Sequence, residues 1–413
     1  MVKKVVLAYS GGLDTSVSVS WLKEKYDAEV VTLTVNIGQN ENMKEIEERA
    51  YSSGSTKHYS IDALDEFVSE YVMKAVKIGA MYQGKYPLST ALGRPLIARK
   101  LVEVAKKENA EAVAHGCTGK GNDQVRFEVT VKSLAPELHV IAPVREWNMT
   151  RDEEIAYAQK KRIPVKPSKS LYSIDQNIWG RSIESGILEL PDQEPPYEVF
   201  EWVVPPEDAP DVPCYVDISF SKGVPVSLNG RDLDPVSLIQ EMNRIAGMNG
   251  IGIIDHIEDR LVGIKSREVY ECPAALSLIE AHEDLEKLVL TRMELEFKKN
   301  AERTWSWLVY SGLWEEPLRY DIDSFVEETQ KRVNGTVRLK LYKGGLRVVG
   351  RNSKNKLYNI KLSTYSKGGI FDQKNAEGFI ELWGLQTTLA NGVMREEIGK
   401  HAGYGKEIKK AEQ

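Results

Sequence analysis

The sequence predicts an α/β protein: a doubly wound parallel sheet at the N-terminus, an α+β domain behind it, and a helical C-terminal segment. Three observations carry this reading. The first 165 residues alternate short apolar, β-branched runs with helical stretches, the signature of βαβ units. The first apolar run ends in Ser10-Gly11-Gly12, a glycine turn where such sheets bind ligands. At Ile163-Pro-Val-Lys-Pro-Ser168 two prolines stop the last helix, and regular alternation does not resume.

The elements follow in order. Val5 to Ala8 is apolar without alternation, as expected of a strand buried on both faces. Leu13 to Tyr26 reads as a helix and Glu29 to Val35 as a second strand. Met43 to Ser53 is a helix, His58 to Ile61 a strand, and Asp62 an N-cap for a helix to about Tyr82. Leu96, Ile97, Leu101, Val104 and Ala105 mark one face of a helix ending near Asn109. Ala112 to His115 and Leu138 to Ile141 are strands around a helix from Asp123 to Leu134. Thr150 with Glu153 is a capping box opening a helix to about Arg162.

Beyond a proline-rich stretch from Pro191 to Pro213, Cys214 to Ser219 and Leu261 to Ile264 read as strands. Helices are expected over Pro235 to Met248, Pro273 to Leu290 and Met293 to Val309. Val337 to Tyr342 and Leu346 to Val349 form a hairpin around Lys343-Gly-Gly. The expected domains are therefore residues 1–165, 170–377 and a helical segment 378–413.

Composition narrows the function. Of 413 residues, 55 are basic and 61 acidic; 23 and 22 of them fall in the first 165 residues, so neither part is basic. Nucleic acid is not the expected partner, since its recognition needs a basic excess or stripe. Three scattered cysteines and six scattered histidines form no CxxC or HxxxH pair, which excludes a disulfide framework and a zinc knuckle. No apolar run reaches membrane-spanning length and the N-terminus has no signal-peptide pattern, so the expected location is cytoplasmic.

The strongest motif is Ala8-Tyr9-Ser10-Gly11-Gly12-Leu13-Asp14-Thr15-Ser16, between the first strand and helix. Its glycines permit close backbone approach to a phosphate, and the helix N-terminus offers free N–H groups. Ser10, Thr15 and Ser16 add hydroxyls. Neither GxxxxGK[ST] nor GxGxxG is present there. Ser10 to Ser16 resembles the loop with which ATP pyrophosphatases, a HUP-like superfamily, grip the pyrophosphate of ATP. The Asp-Thr-Ser ending is similar to that of the argininosuccinate synthase family, in its archaeal and bacterial form.

A second cluster, Ala114-His-Gly-Cys-Thr-Gly-Lys-Gly-Asn-Asp-Gln-Val-Arg-Phe-Glu128, has three glycines in six residues. It offers Thr118, Asn122, Asp123 and Arg126, a set suited to an amino-acid substrate: Arg pairs with a carboxylate, Asp with an ammonium or a urea N–H. It resembles the substrate loop of the same family, which usually has Ala at Cys117. Val35 to Gln39 resembles the family's adenine-side turn. Tyr86-Pro-Leu-Ser-Thr90 before Arg94-Pro-Leu-Ile-Ala-Arg99, Tyr172 to Ser182 and Glu258 to Tyr270 resemble its citrulline segments. Three departures stand out: Ala91 where some members have Ser, Trp179-Gly-Arg181 in place of a Met-His form, and Glu268 where Gly is common.

The resemblance implies ligation of citrulline and aspartate through a citrullyl-adenylate, with ATP cleaved to AMP and diphosphate. Residues 8–16 would hold the phosphates, with Val35 and Gly116 beside the nucleoside. Thr118, Asn122 and Asp123 would hold aspartate. Tyr86, Asn122, Arg126, Ser173, Ser182, Glu258 and Tyr270 would hold citrulline, with a further hydroxyl contact from Thr90 or none. Asp14, Asp123 and Arg126 would serve catalysis, Mg²⁺ would accompany ATP, and the family's homotetramer would be expected. The alternatives are a tRNA-thiolating enzyme with the same loop and Cys117 as sulfur carrier, disfavoured by the charge count, and a nucleotide-binding module without turnover.

Overall fold

The computed structural model describes residues 2–147, 149–164, 171–366 and 369–401. These fall into two compact units, one up to Leu357 and one from Tyr358 onward.

The N-terminal part of the first unit is built from β1 (Lys4–Ala8), α1 (Leu13–Tyr26), β2 (Glu29–Asn36), α2 (Met43–Ser52), β3 (Lys57–Asp62), α3 (Leu64–Phe67), α4 (Met73–Ile78), α5 (Ser89–Glu108), β4 (Ala112–Ala114), α6 (Asp123–Leu134), β5 (His139–Ile141), α7 (Pro143–Trp147) and α8 (Arg151–Lys160). Its five strands are parallel in the order β3-β2-β1-β4-β5. Val5, Val6 and Leu7 are fully buried, as a central strand covered on both faces requires. The order reverses around β1, so a crevice opens beyond its carboxyl end.

Several boundaries differ from expectation. Helix α3 starts at Leu64, whose N–H is accepted by the Asp62 carboxylate at 3.3 Å. A single π-helical turn, Val68–Val72, joins α3 to α4, and the run ends at Gly79, short of Tyr82, because Gly79 takes a left-handed conformation (φ 79°). The Thr150–Glu153 capping box is present. The expected proline connector lies largely on residues 165–170, outside the described residues.

The remainder of this unit carries two antiparallel sheets. One has the order β11-β12-β7-β6, formed by β6 (Ser173–Asn177), β7 (Gly180–Glu184), β11 (Ile253–Asp259) and β12 (Lys265–Glu271). The other has the order β10-β9-β8-β13-β14, formed by β8 (Cys214–Ser221), β9 (Val224–Leu228), β10 (Arg231–Asp232), β13 (Gly335–Tyr342) and β14 (Gly345–Asn352). Helices α9 (Pro235–Met248), α10 (Pro273–Val289), α11 (Arg292–Tyr310) and α12 (Pro317–Gln330) pack with them. Leu261 to Ile264 is not a strand. It is the tip of the β11–β12 hairpin, where Gly263 has a positive φ (82°).

The β6–β7 hairpin docks on the N-terminal part through its turn. Trp179 is fully buried and its indole N–H donates to the Pro87 carbonyl at 2.9 Å. Asn177 donates to the Ser89 carbonyl at 2.8 Å. Gly38, at φ 96°, lets β2's following turn pass Ile178 so closely that a Cβ would lie 2.7 Å from it. One continuous apolar core, including Phe67, Tyr71, Leu96, Leu278 and Trp305, runs through this unit.

The second unit contains α13 (Ile360–Ser363) and α14 (Asn375–His401). Phe379, Leu382, Trp383, Leu389 and Val393 are all exposed along α14.

Candidate active site

A cavity of about 1040 Å³ opens beyond the carboxyl ends of β1, β2 and β4. Ala8 to Asp14, apart from Gly11, and Thr15 line one wall, with Val35, Gly116 and Cys117 beside them. Leu171 to Gln176, from the β6 hairpin, line the facing wall.

Local hydrogen bonds set the loop. The Tyr9 N–H donates to the Leu33 carbonyl at 2.8 Å, and the Thr34 hydroxyl donates to the Tyr9 carbonyl at 2.6 Å, which splices the loop to β2. The Tyr9 and Ser16 hydroxyls meet at 2.9 Å, and those of Ser10 and Thr15 at 3.2 Å. Gly11 has φ 76°, and its carbonyl accepts from Arg49 at 2.8 Å. Gly12 caps α1 without a side-chain bond, so the helix's first N–H groups remain available to an anion. Gly116 sits against the loop: a Cβ there would lie 2.9 Å from the Thr15 methyl. Asp14 accepts from Arg151 at 2.9 Å. Glu154 lies beside this pair, and burial followed by repulsion from Asp14 pushes its carboxyl up to about 7.

Next to the cavity lies a polar cluster joined to it by Arg94. Arg94 lines the cavity, donates to Asp123 at 2.8 Å and pairs with Asp175. Arg126 donates to the second Asp123 oxygen at 2.9 Å. Burial alone would push the Asp123 carboxyl up, but these two guanidiniums outweigh it and hold it below its ordinary value. Arg126 also donates to the Tyr310 carbonyl at 3.1 Å and the Thr90 hydroxyl at 3.4 Å, while its Nη2 is buried without a partner among the described residues. The Tyr86 and Thr90 hydroxyls meet at 2.7 Å, and the Tyr86 ring stacks on Tyr270 with centroids 4.3 Å apart. Tyr270 donates to Glu258 at 2.8 Å. Burial pushes the Glu258 carboxyl up, partly offset by donors from Tyr310 and Tyr270.

The structure thus gathers the expected residues into two neighbouring groups. Residues 8–10 and 12–15, Val35, Gly116 and Ser173 face the cavity. Gly11 and Ser16 lie in the same loop but do not line it; Ser16 is buried behind it through its bond to Tyr9. Tyr86, Thr90, Asn122, Asp123, Arg126, Glu258 and Tyr270 form the hydrogen-bonded cluster. Ser182 is buried and points to the Asp175 carbonyl at 3.5 Å, and Thr118 is exposed on its own loop. Sequence reasoning missed Arg94 and Asp175 as the bridge between the groups, although both lie inside segments singled out for resemblance. It also missed Tyr310, at the end of α11, for which no local motif exists. Cys117 lines the cavity, but burial and the Asp123 charge push its thiol far up, which makes it a poor nucleophile.

A five-stranded parallel sheet with a glycine loop at the end of its central strand, and a cavity beyond it, is the architecture of a nucleotide-binding α/β protein. The "Arginosuccinate synthase N-terminal HUP domain" family matches residues 4–164 and the corresponding C-terminal domain family residues 172–390. The chain belongs to the argininosuccinate synthase family and is an ATP-dependent ligase of arginine biosynthesis. Argininosuccinate synthase of Pyrococcus furiosus is 59% identical over 95% of both chains. That of Dehalococcoides mccartyi is 53% identical over 97% of this chain and 99% of its own, and that of Pyrobaculum aerophilum 54% over 94% and 98%. A tRNA thiolase structure from Methanococcus maripaludis aligns over 41% of this chain and 61% of its own, at 18% identity and a TM-score of 0.27, too remote to support the thiolating alternative. Among the described residues no helix is long and apolar enough to cross a membrane.

Proposed function

We propose that ATP lies in the cavity with its phosphates on residues 8–16 and its nucleoside against Val35 and Gly116. Thr118, Asn122 and Asp123 hold aspartate. Tyr86, Thr90, Asn122, Arg126, Ser173, Ser182, Glu258 and Tyr270 hold citrulline. The observation that carries this arrangement is Arg94, which lines the phosphate cavity and grips Asp123 of the substrate cluster.

In the first step the ureido oxygen of citrulline bonds to the α-phosphorus, the bond from that phosphorus to the bridging oxygen breaks, and diphosphate leaves. The oxygen becomes part of a good leaving group. In the second step the aspartate ammonium loses a proton to solvent, the resulting amine bonds to the ureido carbon, and the bond from that carbon to the adenylate oxygen breaks as AMP departs. The chain contributes positioning and electrostatics to both steps. Arg126 orients citrulline through its unpaired Nη2. Asp123 stays ionised and holds the aspartate ammonium; a carboxylate held this low is a weak proton acceptor, so orientation is its part. Asp14 keeps Arg151 at the mouth of the phosphate loop.

Mg²⁺ fits this reading as a companion of ATP. Ser10, Thr15 and one carboxylate, Asp14, are the donors at the loop, and no three His, Cys, Asp or Glu residues among those described could hold a metal by themselves. Such a donor set suits an ion held mainly by phosphate oxygens and water, where it would neutralise phosphate charge. The domain division at about residue 165, the α14 segment as an oligomerisation arm, a homotetramer and a cytoplasmic location complete the proposal.

The test is diphosphate release and AMP formation with ATP, citrulline and aspartate, each omitted in turn. Diphosphate release should require ATP and citrulline, and AMP and argininosuccinate all three substrates. Diphosphate release independent of citrulline would overturn the reading. Asp14→Ala or Arg126→Ala should abolish citrulline-dependent diphosphate release with circular dichroism unchanged.

A further inference from the structure

Tyr310 is the last residue of α11 and fully buried, and its interactions reach four separate parts of the chain. Its hydroxyl accepts from the Asn122 amide at 2.8 Å and donates to the Glu258 carboxylate. It also lies 3.1 Å from the Asp259 carbonyl. Its own carbonyl accepts from Arg126 Nε at 3.1 Å. Its ring stacks face to face on Tyr82 with centroids 3.5 Å apart, and the Arg126 guanidinium lies over it at 5.0 Å.

The backbone is arranged to allow this. Gly312 has φ 78°, and a Cβ there would lie 2.8 Å from the Arg126 Cα, so only glycine lets the end of α11 come this close to α6. Asn122 is fixed from the other side, since its side-chain oxygen accepts the Leu261 N–H at 2.9 Å at the tip of the β11–β12 hairpin. One hydroxyl therefore ties the ligand loop before α6 to the carboxylate on β11.

We propose that Tyr310 is a positioning residue for citrulline: it fixes Asn122, Arg126 and Glu258 relative to one another before the substrate arrives. The inference rests on assigning those three residues to citrulline. Any buried tyrosine hydroxyl must find a partner, but here both side-chain partners, Asn122 and Glu258, are residues assigned to citrulline, in two separate elements.

Tyr310→Phe separates the two roles, because it keeps the ring, the stack and the backbone carbonyl. The expected result is a citrulline KM raised roughly tenfold, as for the loss of a hydrogen bond to a charged group, with the ATP KM unchanged. A second readout is the pH profile of kcat/KM for citrulline. Glu258 is faced by Tyr310 from α11, Tyr270 and Glu268 from β12, Arg126 from α6, and Tyr82 and Tyr86 from the segment between α4 and α5. Of these, the Tyr310 hydroxyl favours the ionised form by donating to it, so its removal should move the acid limb to higher pH. If the phenylalanine variant does not fold, 3-fluorotyrosine at position 310 keeps the shape with a stronger donor and should move the acid limb to lower pH. An unchanged citrulline KM with an unmoved acid limb overturns the inference. Glu258→Gln and Arg126→Lys run beside it: if neither alters the citrulline KM, the substrate assignment itself fails; if both do and Tyr310→Phe does not, only the role of Tyr310 falls.

Discussion

Arg126 uses Nε and Nη1 within the protein and leaves Nη2 buried with no partner among the described residues. Burying an unpaired N–H of a cation costs free energy, so such a group is expected to meet a ligand acceptor. A lysine could replace the charge but not the fork, because its single ammonium cannot reach the Asp123 carboxylate, the Tyr310 carbonyl and a ligand together. Arg126→Lys should therefore raise the citrulline KM by at least roughly tenfold, a loss of about 1.4 kcal/mol or more, while ATP binding is retained. Equal citrulline KM values for the two proteins by steady-state assay would show that Nη2 has no substrate partner. At this scale the phosphate loop was legible because its residues are contiguous and their chemistry is local. Tyr310 was not, because its partner Asn122 is 188 residues away and a tyrosine at a helix end carries no motif.

Glycines fix how the elements meet around the cavity. Gly116 follows β4 and lies against the phosphate loop, where an alanine Cβ would come 2.9 Å from the Thr15 methyl. Thr15 is also held by the Ser10 hydroxyl, so it has little room to retreat. Gly116→Ala should raise the ATP KM by roughly tenfold, with a smaller effect on the citrulline KM, since overpacking of about 1–3 kcal/mol falls on the loop. The contact between α8 and α1 gives a pH test. Glu154 is held at about 7 in the fold against an ordinary 4.5, so between those values the folded state binds the extra proton and stability falls as pH rises. Glu154→Gln removes that loss. Its melting temperature should exceed that of the parent by a few degrees at about pH 8 and converge with it near pH 5, the gain measured by calorimetry. A constant difference across that range would mean that the carboxyl is not strained by its neighbours.

The elements were legible where one physical signal dominated. Of the parallel strands, β4 and β1 beyond Lys4 are wholly apolar, and α8 carries its capping box in plain sight. The β11–β12 hairpin was hidden because its strands, IIDHIED and KSREVYE, are rich in charge. Those charges find partners across the sheet, as Arg267 does with Asp255 at 2.6 Å and Arg260 with Glu268 at 2.7 Å. The three apolar side chains at the tip, Leu261, Val262 and Ile264, read as a strand instead, although Gly263 breaks them and Leu261 alone turns back to the site through Asn122. Helix α12 was missed for a related reason: its buried Arg319 is satisfied by Asp323 one turn on and by stacking over Trp314, so its inner face is not simply apolar.

At the scale of the whole molecule, the modest negative charge and the two units bear on assembly. Helix α14 has 27 residues and would span roughly 40 Å. Phe379 and Trp383 stack with centroids 5.5 Å apart, and with Leu382, Leu389 and Val393 they lie at the three- and four-residue spacing of one helical face. These side chains are more than half exposed, Trp383 at 71% and Leu382 at 77%. Apolar surface on that scale is far from the ordinary scatter of single exposed residues and marks a face that association would bury. If α14 is the oligomerisation arm, its contact should be hydrophobic and insensitive to salt. Trp383→Glu with Leu389→Glu should lower the mass found by light scattering after gel filtration and leave the helical signal in circular dichroism within a few per cent, while the mass of the parent should not change between low and high salt. The ATP and citrulline KM values of the variant then show whether assembly feeds back on the site. An unchanged mass in the double variant would assign α14's apolar face to something other than contact between copies of this chain.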